Sequence, residues 1–239
     1  DADRVVGLLA DDARADEDAG ERAGEVLVRR GGDEGGALAD HLARTLAGVF
    51  IRAGVVCEQS NDPVGVELAG AAKNAAALAA GATEAQGLNA AGAAAGHIFA
   101  EVWRYGDAQG ARPESMLGLA GTGDLVATVL APQSRSRRAG ELLAAGVPAT
   151  EIPERIGQAV EALESVPLLA RALSHAGFEA TVTDGLAKLI SGELPLDDWI
   201  ALVRTTVPPP ARWRRRPAPG AGARLLARLL GLSRDWRAS

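Results

Sequence analysis

Cysteine, methionine, lysine and aromatic residues are all scarce in this chain, and each scarcity excludes something. A single cysteine, Cys57, among 239 residues rules out a disulfide framework and any multi-cysteine zinc site. Three histidines (His41, His97, His175), far apart in sequence, argue against a histidine-built metal centre, so no metal is expected. Aromatics make up 3% of residues while apolar residues make up 47%. Such a chain is not intrinsically disordered, and its core must be built from Ala, Leu, Val and Gly, which favours closely packed helices. No run of 18 uncharged apolar residues occurs, so nothing reads as a bilayer span. No signal-peptide pattern is seen either, which makes the cytoplasm the default expectation. The chain opens Asp1-Ala2-Asp3 and its only methionine is Met116, so it reads as trimmed at the N-terminus.

What is present is strongly asymmetric in charge. The net charge is −6, yet from Pro208 onward there are eight arginines and one acid, Asp235, a local +7. The remainder therefore holds 17 bases and 30 acids, or −13. An acidic body argues against nucleic acid as the main partner.

Three segments follow from the pattern. Residues 1–61 read as alternating α/β: apolar runs at Val5–Leu9, Val26–Val28 and Val55–Cys57 have strand length. Between the last two, Leu38, Leu42, Leu46 and Val49 recur at helical spacing, which suggests the end of a βαβ sheet. Residues 62–205 read as helix after helix. The expected spans are Val64–Ala80 (ended by Gly81), Ala90–Gly106 (capped by Asn89) and Pro113–Leu119 (ended by the break Gly121–Gly123). Arg137–Ala145, Pro153–Ala162, Val166–Ala176, Thr183–Ser191 and Leu196–Arg204 complete the set. Residues 206–239 join a Pro/Arg-rich linker to a short basic amphipathic stretch around Leu225–Leu232. Its partner is left open between an anionic membrane surface, the body of the chain and another protein.

Two constellations could carry chemistry. Only Lys73 and Lys188 are lysines among 25 basic residues, and Lys73 lies in the otherwise apolar stretch Leu68–Leu78, with Asn74 beside it. A desolvated lysine can exchange a proton near neutrality, whereas a lysine snorkelling from a helix edge to water would do no chemistry. The second constellation is Gly121-Thr122-Gly123-Asp124 with Thr128, followed by Ser134-Arg135-Ser136-Arg137-Arg138. A Gly-rich break brings backbone close to a ligand, and an arginine cluster suits a phosphate or other dianion. The alternative is a turn with Asp124 capping a helix, beside a solvated basic patch. His97, Cys57, Trp103 and Tyr105 read as packing residues.

Taken in order, Val64-Gly65-Val66-Glu67-Leu68-Ala69-Gly70-Ala71-Ala72-Lys73-Asn74, Gly118–Leu125 and Ser134–Gly140 resemble the C-terminal domain of NAD(P)-dependent glycerol-3-phosphate dehydrogenase. The resemblance covers roughly residues 62–200, and Ile156–Glu161 is similar to a stretch of that family near the cofactor. It implies an oxidoreductase interconverting dihydroxyacetone phosphate and sn-glycerol 3-phosphate with NAD or NADP. On the matching positions, Lys73 would be the catalytic proton donor, with Asn74, Asp124 and Thr128 holding the lysine and substrate hydroxyls. Ser134, Arg135 and Ser136 would hold the phosphate, Arg135 and Glu161 facing the nucleotide. The chain departs from the family in four places, one being that a second catalytic lysine expected in the nucleotide domain has no counterpart. No G-x-G-x-x-G occurs in residues 1–60, Ala10-Asp11-Asp12 stands where a Ser-Gly-Pro turn is expected, and Ser136 replaces an asparagine.

The expected fold is thus an α/β remnant of a Rossmann-like domain followed by an all-α domain. The expected partner is a small phosphorylated substrate, with a homodimer left open. The rival function is a non-catalytic helical binding or dimerisation module.

Overall fold

The computed structural model of the chain describes residues 24–27, 33–51 and 56–206. The N-terminal run Val5–Leu9, the Ala10-Asp11-Asp12 position and the basic tail lie outside the described residues. Strand β1 (Gly24–Leu27) and strand β2 (Cys57–Ser60) pair in parallel, in the register Gly24↔Cys57 to Leu27↔Ser60. Helix α1 (Asp33–Phe50) makes the crossover between them. A parallel pair needs such a crossover, and the order strand, helix, strand was legible in the spacing. The second strand begins at Cys57, the last residue of the expected run Val55–Cys57, and continues to Ser60; Val55 lies outside the described residues. Cys57 is half-buried.

The rest is helical. Helix α2 (Pro63–Thr83) is the axis of the domain, packed against α3 (Leu88–Ala108) and α6 (Arg135–Ala144). Between them α4 (Pro113–Leu117) is followed by a π turn (Leu119–Gly123) that runs straight into α5 (Asp124–Leu130). Helices α7 (Ile152–Ile156), α8 (Glu161–His175), α9 (Thr181–Ser191) and α10 (Leu196–Thr205) close the bundle. No single helix among the described residues is long and apolar enough to cross a membrane.

Why α2 is the axis follows from its composition. From Ala75 to Thr83 every residue is buried, as expected of a helix apolar on all sides. Small side chains let neighbours come close. A methyl group on Gly81 would stand 2.1 Å from the Arg137 carbonyl oxygen, and one on Gly140 would stand 2.0 Å from that of Leu78. Helices α2 and α6 therefore meet backbone to backbone. Gly81 lies inside the helix, correcting the expected stop there: its job is close packing, not termination. Thr83, buried near the end, satisfies its hydroxyl on the Ala79 carbonyl at 2.8 Å.

Other expected boundaries shift for local reasons. Helix α3 starts at Leu88, capped by Gly87 at φ 102°, not by Asn89. The expected helix Pro153–Ala162 is two pieces, because Gly157 (φ 80°) ends α7 in a left-handed turn and α8 begins at Glu161. The expected break at Gly121–Gly123 is instead helical. A side chain at Gly121 would collide with the Met116 carbonyl at 2.0 Å, so glycine permits the tight turn without interrupting it.

Two buried carboxylates pin the scaffold. Asp62 caps α2 by accepting from Gly65 N (2.9 Å), and also accepts from Arg112 N (2.7 Å) and the Ser115 hydroxyl (2.8 Å). Burial alone would raise its carboxyl, but these donors win and hold it below the usual aspartate range. Glu101 of α3 accepts from Val182 N (3.0 Å), Thr183 N (2.9 Å) and the Thr183 hydroxyl (2.7 Å), capping α9 from a distance of 81 residues. Trp199, fully buried, donates its indole N–H to Val182 O at 3.1 Å in the same corner. Tyr105 packs edge-on against Phe178 with ring centroids 5.8 Å apart, and Trp103 also lies against the core.

Candidate functional site

Helix α2 carries Lys73 and Asn74 at the point where it leaves the fully buried stretch. Adjacent residues on a helix diverge by about 100°, so the two side chains reach different neighbours. Lys73 Nζ donates to Asp124 Oδ2, with 25% and 19% of the two side chains exposed. The pair is thus desolvated on most sides yet open to a small molecule. Asn74 Nδ2 donates to Glu161 Oε2 at 3.1 Å.

Each partner stands at the first residue of a helix. Asp124 opens α5 immediately after the π turn, and Glu161 opens α8. Helix α6 begins at Arg135, whose Nη1 donates to Ala159 O, 3.3 Å away and two residues before α8. The N-termini of α5 and α8 therefore meet α2 at positions 73 and 74, and α6 joins them through Arg135. The amide that opens α5 is already used, Asp124 N–H donating to Leu119 O of the π turn, whereas α6 and α8 begin after non-helical residues and turn the positive ends of their dipoles to the junction, which suits an anion. A π turn feeding a helix is itself a feature enriched at functional sites.

The structure sorts the arginine cluster. Ser134 caps α6 by accepting from Arg137 N at 3.3 Å, and Ser136, in the first turn, is 7% exposed. Arg137 turns away from the junction, donating to both Glu84 oxygens (2.7 and 2.6 Å) and lying 3.2 Å from Glu141. Those carboxylates, the Glu84 hydrogen bond foremost, raise its already high pKa further. It is a structural residue, not part of the anion patch suggested by the run of arginines. Thr128 lies one helical turn after Asp124 on the same side of α5 and is half-buried. Asp124 does not act as the cap of α5; Gly123 holds that position. His97 is half-buried on α3.

Sequence reasoning missed the Asn74–Glu161 contact, which joins residues 87 apart, and the Glu58 link. The Glu58 carboxylate of β2 accepts from Leu119 N at 3.4 Å, tying the strand to the start of the π turn. No periodicity could have signalled either one. Among the described residues no group of three His, Cys, Asp or Glu side chains could hold a metal ion.

With that geometry in hand, comparison with known proteins is specific. Residues 62–201 match the family model of the NAD-dependent glycerol-3-phosphate dehydrogenase C-terminus. The chain is 39% identical over 161 residues to a glycerol-3-phosphate dehydrogenase [NAD(P)+] of Chelativorans sp., covering 66% of this chain and 46% of the relative. A protein of the same description from Sphingopyxis alaskensis is 37% identical over 166 residues, covering 69% and 49%. The crystal structure of glycerol-3-phosphate dehydrogenase from Coxiella burnetii superposes with a TM-score of 0.68 at 26% identity, covering 77% of this chain and 55% of that one. The chain thus spans about half the length of the curated relatives it matches. By the ordered motifs and the helical domain that carries them, it belongs to the NAD-dependent glycerol-3-phosphate dehydrogenase C-terminal family.

Proposed function

We propose that this junction is the substrate end of a dehydrogenase site interconverting dihydroxyacetone phosphate and sn-glycerol 3-phosphate. The observation that carries the reading is the Lys73–Asp124 pair, set at the junction of helix N-termini. Reduction of a ketone needs a proton at the carbonyl oxygen as hydride arrives at carbon. The Lys73 ammonium supplies it at the C2 oxygen and regains it from water afterwards; in the reverse direction the free amine takes the C2 hydroxyl proton. Asp124 fixes Nζ in place, and Thr128, one turn on, offers a hydroxyl to the substrate. Arg135 clamps the phosphate together with the first amides of α6 and the hydroxyls of Ser134 and Ser136. The Ser134 oxygen already accepts from Arg137 N, so its hydroxyl hydrogen is the part left to donate.

The cofactor, when bound, would supply the hydride as NADH or NADPH and take it back as NAD or NADP in the reverse direction. The residues at the edge of the junction fit such a group: Arg135 offers a guanidinium to phosphate oxygens, and Glu161 offers carboxylate oxygens to ribose hydroxyls. The division 1–61, 62–205 and 206–239 belongs to the same reading, the parallel β1–α1–β2 unit being part of a Rossmann-like fold.

A second reading is favoured by one observation. Leu117, Val126 and Leu130 are 74, 51 and 73% exposed around the π turn and α5, which suits a helical module whose apolar face meets protein. The test is to incubate the chain with dihydroxyacetone phosphate and NADH or NADPH and follow the loss of reduced-cofactor absorbance. Turnover should fall by roughly 10²–10⁴-fold in Lys73→Ala. Absence of turnover, with no thermal shift from glycerol 3-phosphate, overturns the enzyme reading for this chain and leaves the module.

A further inference from the structure

Asn74 and Glu161 set the polarity of the site, and this inference rests on the proposed function. An ionised carboxylate only accepts hydrogen bonds. The Asn74 group facing Glu161 Oε2 at 3.1 Å must therefore be its NH2, and the Oδ1 acceptor is the other pole of the same planar amide. We infer that Glu161 is a positioning residue, which holds Asn74 so that the amide presents an acceptor to the ligand and selects one carrying a hydroxyl at its terminal carbon.

The chemistry of the ligand pair agrees. Lys73, adjacent on α2, is directed to Asp124, and the proposed function assigns it to the C2 oxygen. Dihydroxyacetone phosphate then has a single hydroxyl left, on its terminal carbon, and glycerol 3-phosphate has the same one. An acceptor at Asn74 thus recognises the one donor common to both redox states, so it binds them alike and discriminates against ligands lacking that hydroxyl. Without Glu161 nothing holds the amide, and a freely turning Asn74 side chain gives up its hydrogen bond to the terminal hydroxyl, so the preference for that hydroxyl is lost. Glu161 can serve Asn74 and a nucleotide together, since a carboxylate has about four lone-pair directions.

The experiment compares binding of glycerol 3-phosphate and of 2-hydroxypropyl phosphate, which lacks only the terminal hydroxyl, by calorimetry on the full chain. The wild type should prefer glycerol 3-phosphate by roughly fivefold, the size of one hydrogen bond. In Glu161→Ala that preference should shrink to within about twofold. Glu161→Gln, whose amide oxygen still accepts from Asn74, should restore it. Thermal midpoints should stay unchanged, Glu161 being exposed. A preference that persists in Glu161→Ala overturns the inference alone, as does a wild type that binds both ligands equally. A wild type that binds neither overturns the proposed function as well.

Discussion

Two pairs of carboxylates in this domain use the same chemical group in opposite ways. In the scaffold, Asp62 and Glu101 are 6 and 4% exposed and spend their carboxylates largely on backbone amides at helix starts. At the candidate site, Asp124 and Glu161 are themselves the first residues of helices and spend theirs on side chains of α2. A buried carboxylate with satisfied backbone donors rigidifies; removing it strands amides away from water. A carboxylate holding a partly exposed side chain contributes little to stability but aims that side chain. The lesson is that burial and partner type, rather than the charge itself, separate a structural acid from a functional one.

That contrast can be broken in graded steps. Glu101→Ala leaves the Val182 and Thr183 amides without partners and should cost about 3–4 kcal/mol. In a chain this size that lowers the melting temperature by roughly 10 °C, read by scanning calorimetry. Gly140→Ala drives a methyl group into the Leu78 carbonyl and should cost on the order of 2–3 kcal/mol by the same measurement. Asp62→Asn should cost about 1–2 kcal/mol at neutral pH. The Asp62 carboxyl is held below its unfolded value, so its contribution is present above the unfolded pKa and lost as pH falls through the folded one. Wild-type stability should therefore decline below about pH 4, and the variant should show a flatter acid limb in urea titrations at stepped pH. The Arg155–Glu151 pair, about half exposed on both sides, marks the floor: Arg155→Ala should shift stability by less than about 0.5 kcal/mol.

Much of this was legible in the sequence, and what was not has physical causes. Lys73 stood out because lysine is rare here and its stretch is otherwise apolar, and the Gly121–Asp124 run marked a tight backbone site. Glycine, however, is one letter with two uses. Gly157 ends a helix through its left-handed φ, while Gly81 lies within one because α6 presses against it. The cluster Arg135–Arg138 reads as one patch in the sequence, but helical rotation sends Arg137 to Glu84 and Arg135 to Ala159 O. Glu101, Glu58 and the Asn74–Glu161 contact all depend on partners 61 to 87 residues away, beyond any local pattern.

The most direct test is a calorimetric titration of the chain with glycerol 3-phosphate, wild type against Lys73→Met. The ion pair is 25 and 19% exposed, so a melting scan of each protein accompanies the titration; saturable one-to-one binding by the wild type should weaken at least about tenfold in the variant, the scale of losing a charge-assisted hydrogen bond. Equal binding by both, or a variant that loses stability rather than affinity, would contradict the assignment of Lys73 to the ligand.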